Sequence, residues 1–268
     1  MRHLRVLGGI LGYSAIVMAL YRVLPTWLVS DEHYLNSIII YIVISLLFLI
    51  IVYLKGVDSL EYFRRPRLGA ASITAMVIAG MFVSFELFLG GMEMKPWDYA
   101  IPGVIFLLGI GISEEIFSRG LIFGMLRKYG ERKAIIYSSA VFGLLHINVY
   151  VGPRWDLWNA YSHVISAGAW GFLACTIMIA TRSIWFVAIF HALIDWSIVF
   201  EIEDTTTDDL EPLPVFSLFD NLTLPLWELF FHVPLGLLIL RVNRGGWPRW
   251  IEKLAIRLKL VVPESAVS

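Results

Sequence analysis

A chain of 268 residues that is 58% hydrophobic and only 16% charged, with a mean hydropathy of +0.75, carries too little polar surface for a water-soluble fold of its size; soluble domains hold about 25% charged residues. The bilayer is the solvent that fits this composition. A net charge of -1 excludes a nucleic-acid binder, which needs a basic face, and the single cysteine, Cys175, excludes an intrachain disulfide and a cysteine-based zinc site.

The first apolar run, Leu7 to Leu24, follows Arg2 and Arg5. It is long enough to span a membrane, and Pro25, Thr26 and Trp27 follow it rather than a small-residue cleavage site, so it reads as a retained signal-anchor. A spanning helix needs about 20 mostly apolar residues. By that criterion spans are expected at 5–25, 36–54, 69–90, 99–128, 134–150, 161–180, 183–200 and 223–241. The expected fold is all-α: a polytopic membrane protein of about eight transmembrane helices, forming one integral membrane domain over 1–268 with no soluble domain and no internal repeat. Loop charges alternate along this series. Lys55, Arg64, Arg65 and Arg67 follow the second span, Arg127, Lys128, Arg132 and Lys133 the fourth, Arg182 the sixth and Arg241 and Arg244 the eighth, whereas 201–220 is acidic. Under the positive-inside rule both termini are cytoplasmic. Tyr34, Trp97, Tyr99, Trp155, Trp158, Tyr161 and Trp227 fall at the opposite ends, as an interfacial aromatic belt does. In 247–262, Trp247, Trp250, Ile251, Leu254, Leu258 and Val261 recur at helical spacing with Arg249, Lys253 and Arg257 elsewhere, which predicts an amphipathic helix on the cytoplasmic leaflet. The absence of a retention signal suits a prokaryotic plasma membrane.

Ionisable groups in hydrocarbon cost several kcal/mol unless they are paired or put to use. The fourth span nevertheless carries Glu114, Glu115 and Arg119, the fifth His146, and the seventh His191 and Asp195. With a rise of ~1.5 Å per residue, Glu114, His146 and Asp195 each lie ~20 Å from the basic end of their helix, so three helices bring polar groups to one level. Residues four apart share a helix face. Glu115 is therefore positioned to pair with Arg119, while Glu114 points about 100° away and stays free. Phe142 and His146 share one face, and His191 and Asp195 another. A carboxylate and a histidine around a water make a hydrolytic arrangement, and a second polar pair can donate to the oxyanion of a tetrahedral intermediate. His191 can donate; Asp195 donates if protonated and otherwise orients His191. Glu114, His146 and His191 are also a donor set for Zn²⁺, and spacing does not choose between the two. Glu228 and His232, four apart on the eighth span, read as an interfacial hydrogen bond in preference to a metal pair.

Glu114-Glu115-Ile-Phe-Ser-Arg119, Phe142-Gly-Leu-Leu-His146 and His191-Ala-Leu-Ile-Asp195 resemble the three ordered motifs EExxxR, FxxxH and HxxxN/D of the CAAX protease and bacteriocin-processing family of intramembrane proteases. The resemblance covers the motif-bearing core, about 99–200. It implies an eight-helix core and an endopeptidase hydrolysing peptide bonds, such as those near the C-terminus of prenylated or other membrane-associated substrates, that is, CAAX processing. It implies Glu114 as general base, His146 as a second holder of the water, and His191 with Asp195 as the oxyanion site. The eukaryotic prenyl-protein endopeptidases carry Asn at the position of Asp195. The family admits both a glutamate mechanism and a metalloprotease mechanism with zinc. The expected partners are a membrane-associated protein or peptide and the lipid bilayer. Two other classes compete: a proton-coupled transporter, which intramembrane Glu and His also suit, and a non-catalytic membrane scaffold or bacteriocin-immunity protein. Against the transporter, the chain shows no repeated pair of broken helices.

Overall fold

In lipid every backbone N–H and C=O must find a partner within its own segment, so apolar runs that would be indifferent helix formers in water become helices. The computed structural model describes residues 34–89, 95–147, 157–200 and 218–257; the expected first span, the acidic 201–217 stretch and the tail from 258 to 262 lie outside them. Helix α1, Leu35–Lys55, ends at Gly56, whose left-handed φ of 55° lets its N–H bond the carbonyls of Tyr53 and Val52. A short 3₁₀ turn at Leu60–Tyr62 leads to α2, Ala70–Leu89. Helix α3 runs unbroken from Trp97 to Arg127, but over Ile116–Phe123 it widens into a π-helix. Gly130, at φ 107°, turns the chain into α4, Glu131–Leu145. Helix α5, Leu157–Thr181, closes on a tight turn in which Ser183 accepts the Phe186 N–H and caps α6, Ile184–Ile194. A break at Asp195 and Trp196 precedes α7, Ser197–Phe200. Helix α8, Leu218–Gly245, and α9, Arg249–Arg257, complete the described chain, which contains no strand.

Five described helices are long and apolar enough to cross a membrane: α1, α2, α3, α5 and α8. Two expected spans come out shorter. Helix α4 stops at Leu145, and its 15 residues cover about 22 Å of a hydrocarbon core about 30 Å thick. The physical reason is local. The His146 ring takes the Phe142 carbonyl through Nδ1 at 2.8 Å, and the His146 backbone N–H falls back to Gly143, so the ladder tightens and ends. The expected 183–200 span is similarly interrupted at Asp195 and Trp196, one turn after His191. The predicted amphipathic tail forms a helix over its described part, Arg249–Arg257, with Trp250 and Leu254 exposed.

Helix α5 is the hub. Within its span 72% of residues are buried, against 28% in α1 and in α2, and it packs on α8, α4, α2 and α6. Glycines set two close approaches. A Cβ on Gly143 would sit 2.4 Å from the Val164 carbonyl oxygen, and one on Gly111 would sit 2.3 Å from that of Ala188. Only hydrogen at these positions lets α4 lie against α5, and α3 against α6, backbone to backbone.

Candidate active site

The polar residues of α3, α4 and α6 converge. Glu115 is wholly buried and accepts a hydrogen bond from Arg119 at 2.9 Å, while its Oε1 also meets His191 Nδ1 at 2.9 Å. Arg119, 1% exposed, donates its second terminal nitrogen to the Gly171 carbonyl at 3.2 Å and lies 4.4 Å from the centre of the Phe142 ring. These contacts knit α3, α4, α5 and α6 around one buried cation. The π-helical turns fall on this stretch, where one wider turn re-aims the side chains that follow.

Glu114 points the other way, and its side chain is 34% exposed. Its Oε2 is 4.0 Å from His146 Nε2 and 4.0 Å from His191 Nε2. With His146 Nδ1–H donated to the Phe142 carbonyl, Nε2 is left as an acceptor facing Glu114. Asp195 Oδ2 lies 3.5 Å from His191 Nε2. The structure thus brings Glu114, Glu115, Arg119, Phe142, His146, His191 and Asp195 into a single cluster. Separations of 4.0 Å are too long for direct hydrogen bonds but are of the length that one shared water bridges. Such a water, held by a carboxylate and an imidazole acceptor, is set for deprotonation.

The same distances test a metal. Two ligands of a tetrahedral zinc, each about 2.0–2.1 Å from the ion, stand about 3.4 Å apart. Oxygen and nitrogen atoms 4.0 Å apart would have to lie nearly opposite one another across the ion. Among the described residues no group of three His, Cys, Asp or Glu side chains is placed to hold an ion. As arranged, Glu114, His146 and His191 do not fit zinc.

The His163 ring packs edge-on to His146, with ring centres 4.9 Å apart. Trp170 packs edge-on to His191 at 5.5 Å, and its buried indole N–H has no hydrogen-bond partner among the described residues. The Gly171 carbonyl that receives Arg119 gives no signal in the sequence, because any residue has a carbonyl. Glu228 Oε2 meets His232 Nδ1 at 3.0 Å, and the His232 ring stacks on Phe82.

Residues 96–197 match the family described as Rce1-like, type II CAAX prenyl endopeptidase, which is an intramembrane protease family. The matched stretch runs from the start of α3 to the break after α6 and contains all of the clustered residues. No curated protein and no solved structure matches the chain.

Proposed function

We propose that this protein is an intramembrane endopeptidase of the glutamate type, acting on a membrane-associated peptide such as a prenylated or otherwise anchored protein segment. The observation that carries the reading is Glu114, whose Oε2 stands 4.0 Å from the Nε2 atoms of both His146 and His191 and points away from the Arg119 ion pair. Glu114 takes a proton from the water that it shares with His146, and the resulting hydroxide attacks the scissile carbonyl carbon. Charge builds on the carbonyl oxygen as the C=O bond opens. His191, as an imidazolium that donates Nδ1–H to Glu115, donates its Nε2–H to that oxygen, and Asp195 orients the ring. Collapse of the tetrahedral intermediate breaks the C–N bond, and Glu114 returns its proton to the leaving amine. Glu115, Arg119 and Phe142 hold this frame and touch no reacting atom.

Glu114→Gln preserves size and removes the base. Peptide cleavage by detergent-purified protein is expected to fall by a factor of about 10² or more, with an unchanged thermal melt. Near-normal turnover by this variant overturns the reading. Chelation is the second arm: activity is expected to survive it, and a loss restored by added Zn²⁺ would replace the glutamate mechanism with a metal-assisted one.

A further inference from the structure

One end of the helix bundle is basic, and its arginines fall into two groups. Glu61 bridges Arg127 at the end of α3 and Arg182 after α5, so those two guanidiniums are paired. Arg132, Arg241 and Arg244 enter no ion pair among the described residues. They converge instead on one groove of about 890 Å³. Helices α4 and α8 both lie against α5, with the start of α4 and the end of α8 at the basic end, and Phe172 of α5 lines the space between them.

Helical spacing sorts the walls of this groove by polarity. On α4, Ile136 stands one turn deeper than Arg132; on α8, Leu237 stands one turn deeper than Arg241, and Leu240 one turn deeper than Arg244. All three arginines therefore share one mouth, and the apolar side chains begin about 6 Å further along the helices. Ile136 and Leu237 are exposed, so the deeper half faces hydrocarbon. None of the described residues lining the groove is acidic. The mouth is fixed in place. Gly246, at φ 69°, returns its N–H to the Val242 carbonyl at 2.7 Å and ends α8. Trp247 then donates Nε1–H to Thr74 Oγ1 of α2 at 2.8 Å. A tryptophan anchored beside arginines belongs at headgroup level.

We infer that this groove binds an anionic phospholipid, with its phosphate held by Arg132, Arg241 and Arg244 and an acyl chain laid against Ile136, Phe172 and Leu237. Guanidiniums take phosphate oxygens through paired N–H donors, and basic pockets between spanning helices suit phospholipid headgroups. The volume falls within the range of small-molecule sites, about 300–1,000 Å³. A free phosphate would leave the apolar half unused. A zwitterionic lipid would bring an ammonium against three like charges. The groove stands apart from the carboxylate and imidazole cluster, because Arg132 and His146 are about 21 Å apart along α4. A lipid seated there ties α4, which carries His146, to α8.

The test melts the full chain, delipidated in nonionic detergent, with phosphatidylglycerol, phosphatidylcholine or inorganic phosphate at equal concentration. Phosphatidylglycerol is expected to raise the melting temperature by about 5 °C, as a ligand of the folded state does in large excess over its Kd, and the other two by less than about 1 °C. Arg241→Gln/Arg244→Gln is expected to melt as wild type without lipid and to lose the shift. Lys128→Gln/Lys133→Gln removes the same charge from the same end outside the groove and is expected to keep it. Native mass spectrometry reads occupancy directly: wild type is expected to retain phosphatidylglycerol, and the arginine pair to retain it about tenfold more weakly. Four results overturn the inference. An equal shift with phosphatidylcholine makes the groove a generic lipid contact, and an equal shift with phosphate makes it an anion site without a lipid. Equal loss in both double variants makes the attraction one of general surface charge. A dimer formed by wild type and lost in the arginine pair gives the groove to a second copy of the chain.

Discussion

Among the described residues Arg119 is buried as deeply as any side chain of its size, and its guanidinium meets a carboxylate, a backbone carbonyl and an aromatic face at once. A planar fork suits this triple contact, and a compact ammonium does not. Arg119→Ala leaves the Glu115 carboxylate buried with His191 as its remaining partner, so a destabilisation of about 3–5 kcal/mol is expected. Arg119→Lys is expected to recover only part of that loss, because it keeps the charge without the fork or the stacking. Thermal melts in detergent read both; a wild-type melt for Arg119→Ala would show that the pair contributes nothing to the frame. The i, i+4 spacing of Glu115 and Arg119 made their pairing legible in the sequence. The hydrogen bond from His191 to Glu115 was not legible, because the two residues are 76 positions apart and only the docking of α3 on α6 brings them together.

The site depends at the element scale on how closely its helices approach. Gly143 lies one residue after Phe142 and three before His146, and its hydrogen faces the Val164 carbonyl and Gly168 of α5. Gly143→Ala puts a methyl 2.4 Å from backbone that cannot swing aside. Helix α4 must then lift from α5, at about 1–3 kcal/mol, and move His146 relative to Glu114. Lower melting and lower peptidase activity together are the expected outcome. Gly80→Ala on α2 is the matched control: a Cβ there meets nothing within 4 Å, so it is expected to leave activity intact and to raise helix stability by up to about 1 kcal/mol. If Gly143→Ala behaves like Gly80→Ala in melting and activity, the close approach is not what holds His146.

Three parts of the molecule meet at Glu61 on the basic face. Burial pushes its carboxyl upward, but the Arg127 hydrogen bond and the charges of Arg127, Arg182 and Arg64 outweigh it and hold the group below its ordinary range. Beneath it burial pushes the Tyr62 phenol up to about 12, so Tyr62 stays neutral at any working pH. A carboxyl lowered on folding adds stability that is fully present above its unfolded value, about 4.3, and is lost as pH falls through the lowered folded value. Glu61 is about one-third exposed, so solvent screens the effect. A small melting-temperature deficit of Glu61→Gln at neutral pH is therefore expected to shrink steadily in acid. A deficit that does not change with pH would mean that the bridge acts through packing rather than charge.

Composition and hydrophobic run length were enough to determine an all-helical membrane protein, because a bilayer admits few ways of satisfying the backbone. Spacing along single helices was enough to put Glu115 with Arg119, His191 with Asp195 and Phe142 with His146, because 3.6 residues per turn fixes which side chains share a face. The tertiary structure decided what one-dimensional spacing cannot carry. It set the rotation of each helix about its axis, through glycine contacts such as Gly111 against Ala188. It ended α4 at His146, where a ring nitrogen competes with the backbone for the Phe142 carbonyl. It also placed Trp170 and the Gly171 carbonyl beside the cluster, through the central position of α5. Directions between helices follow from packing, and packing belongs to pairs of surfaces rather than to any one segment of sequence.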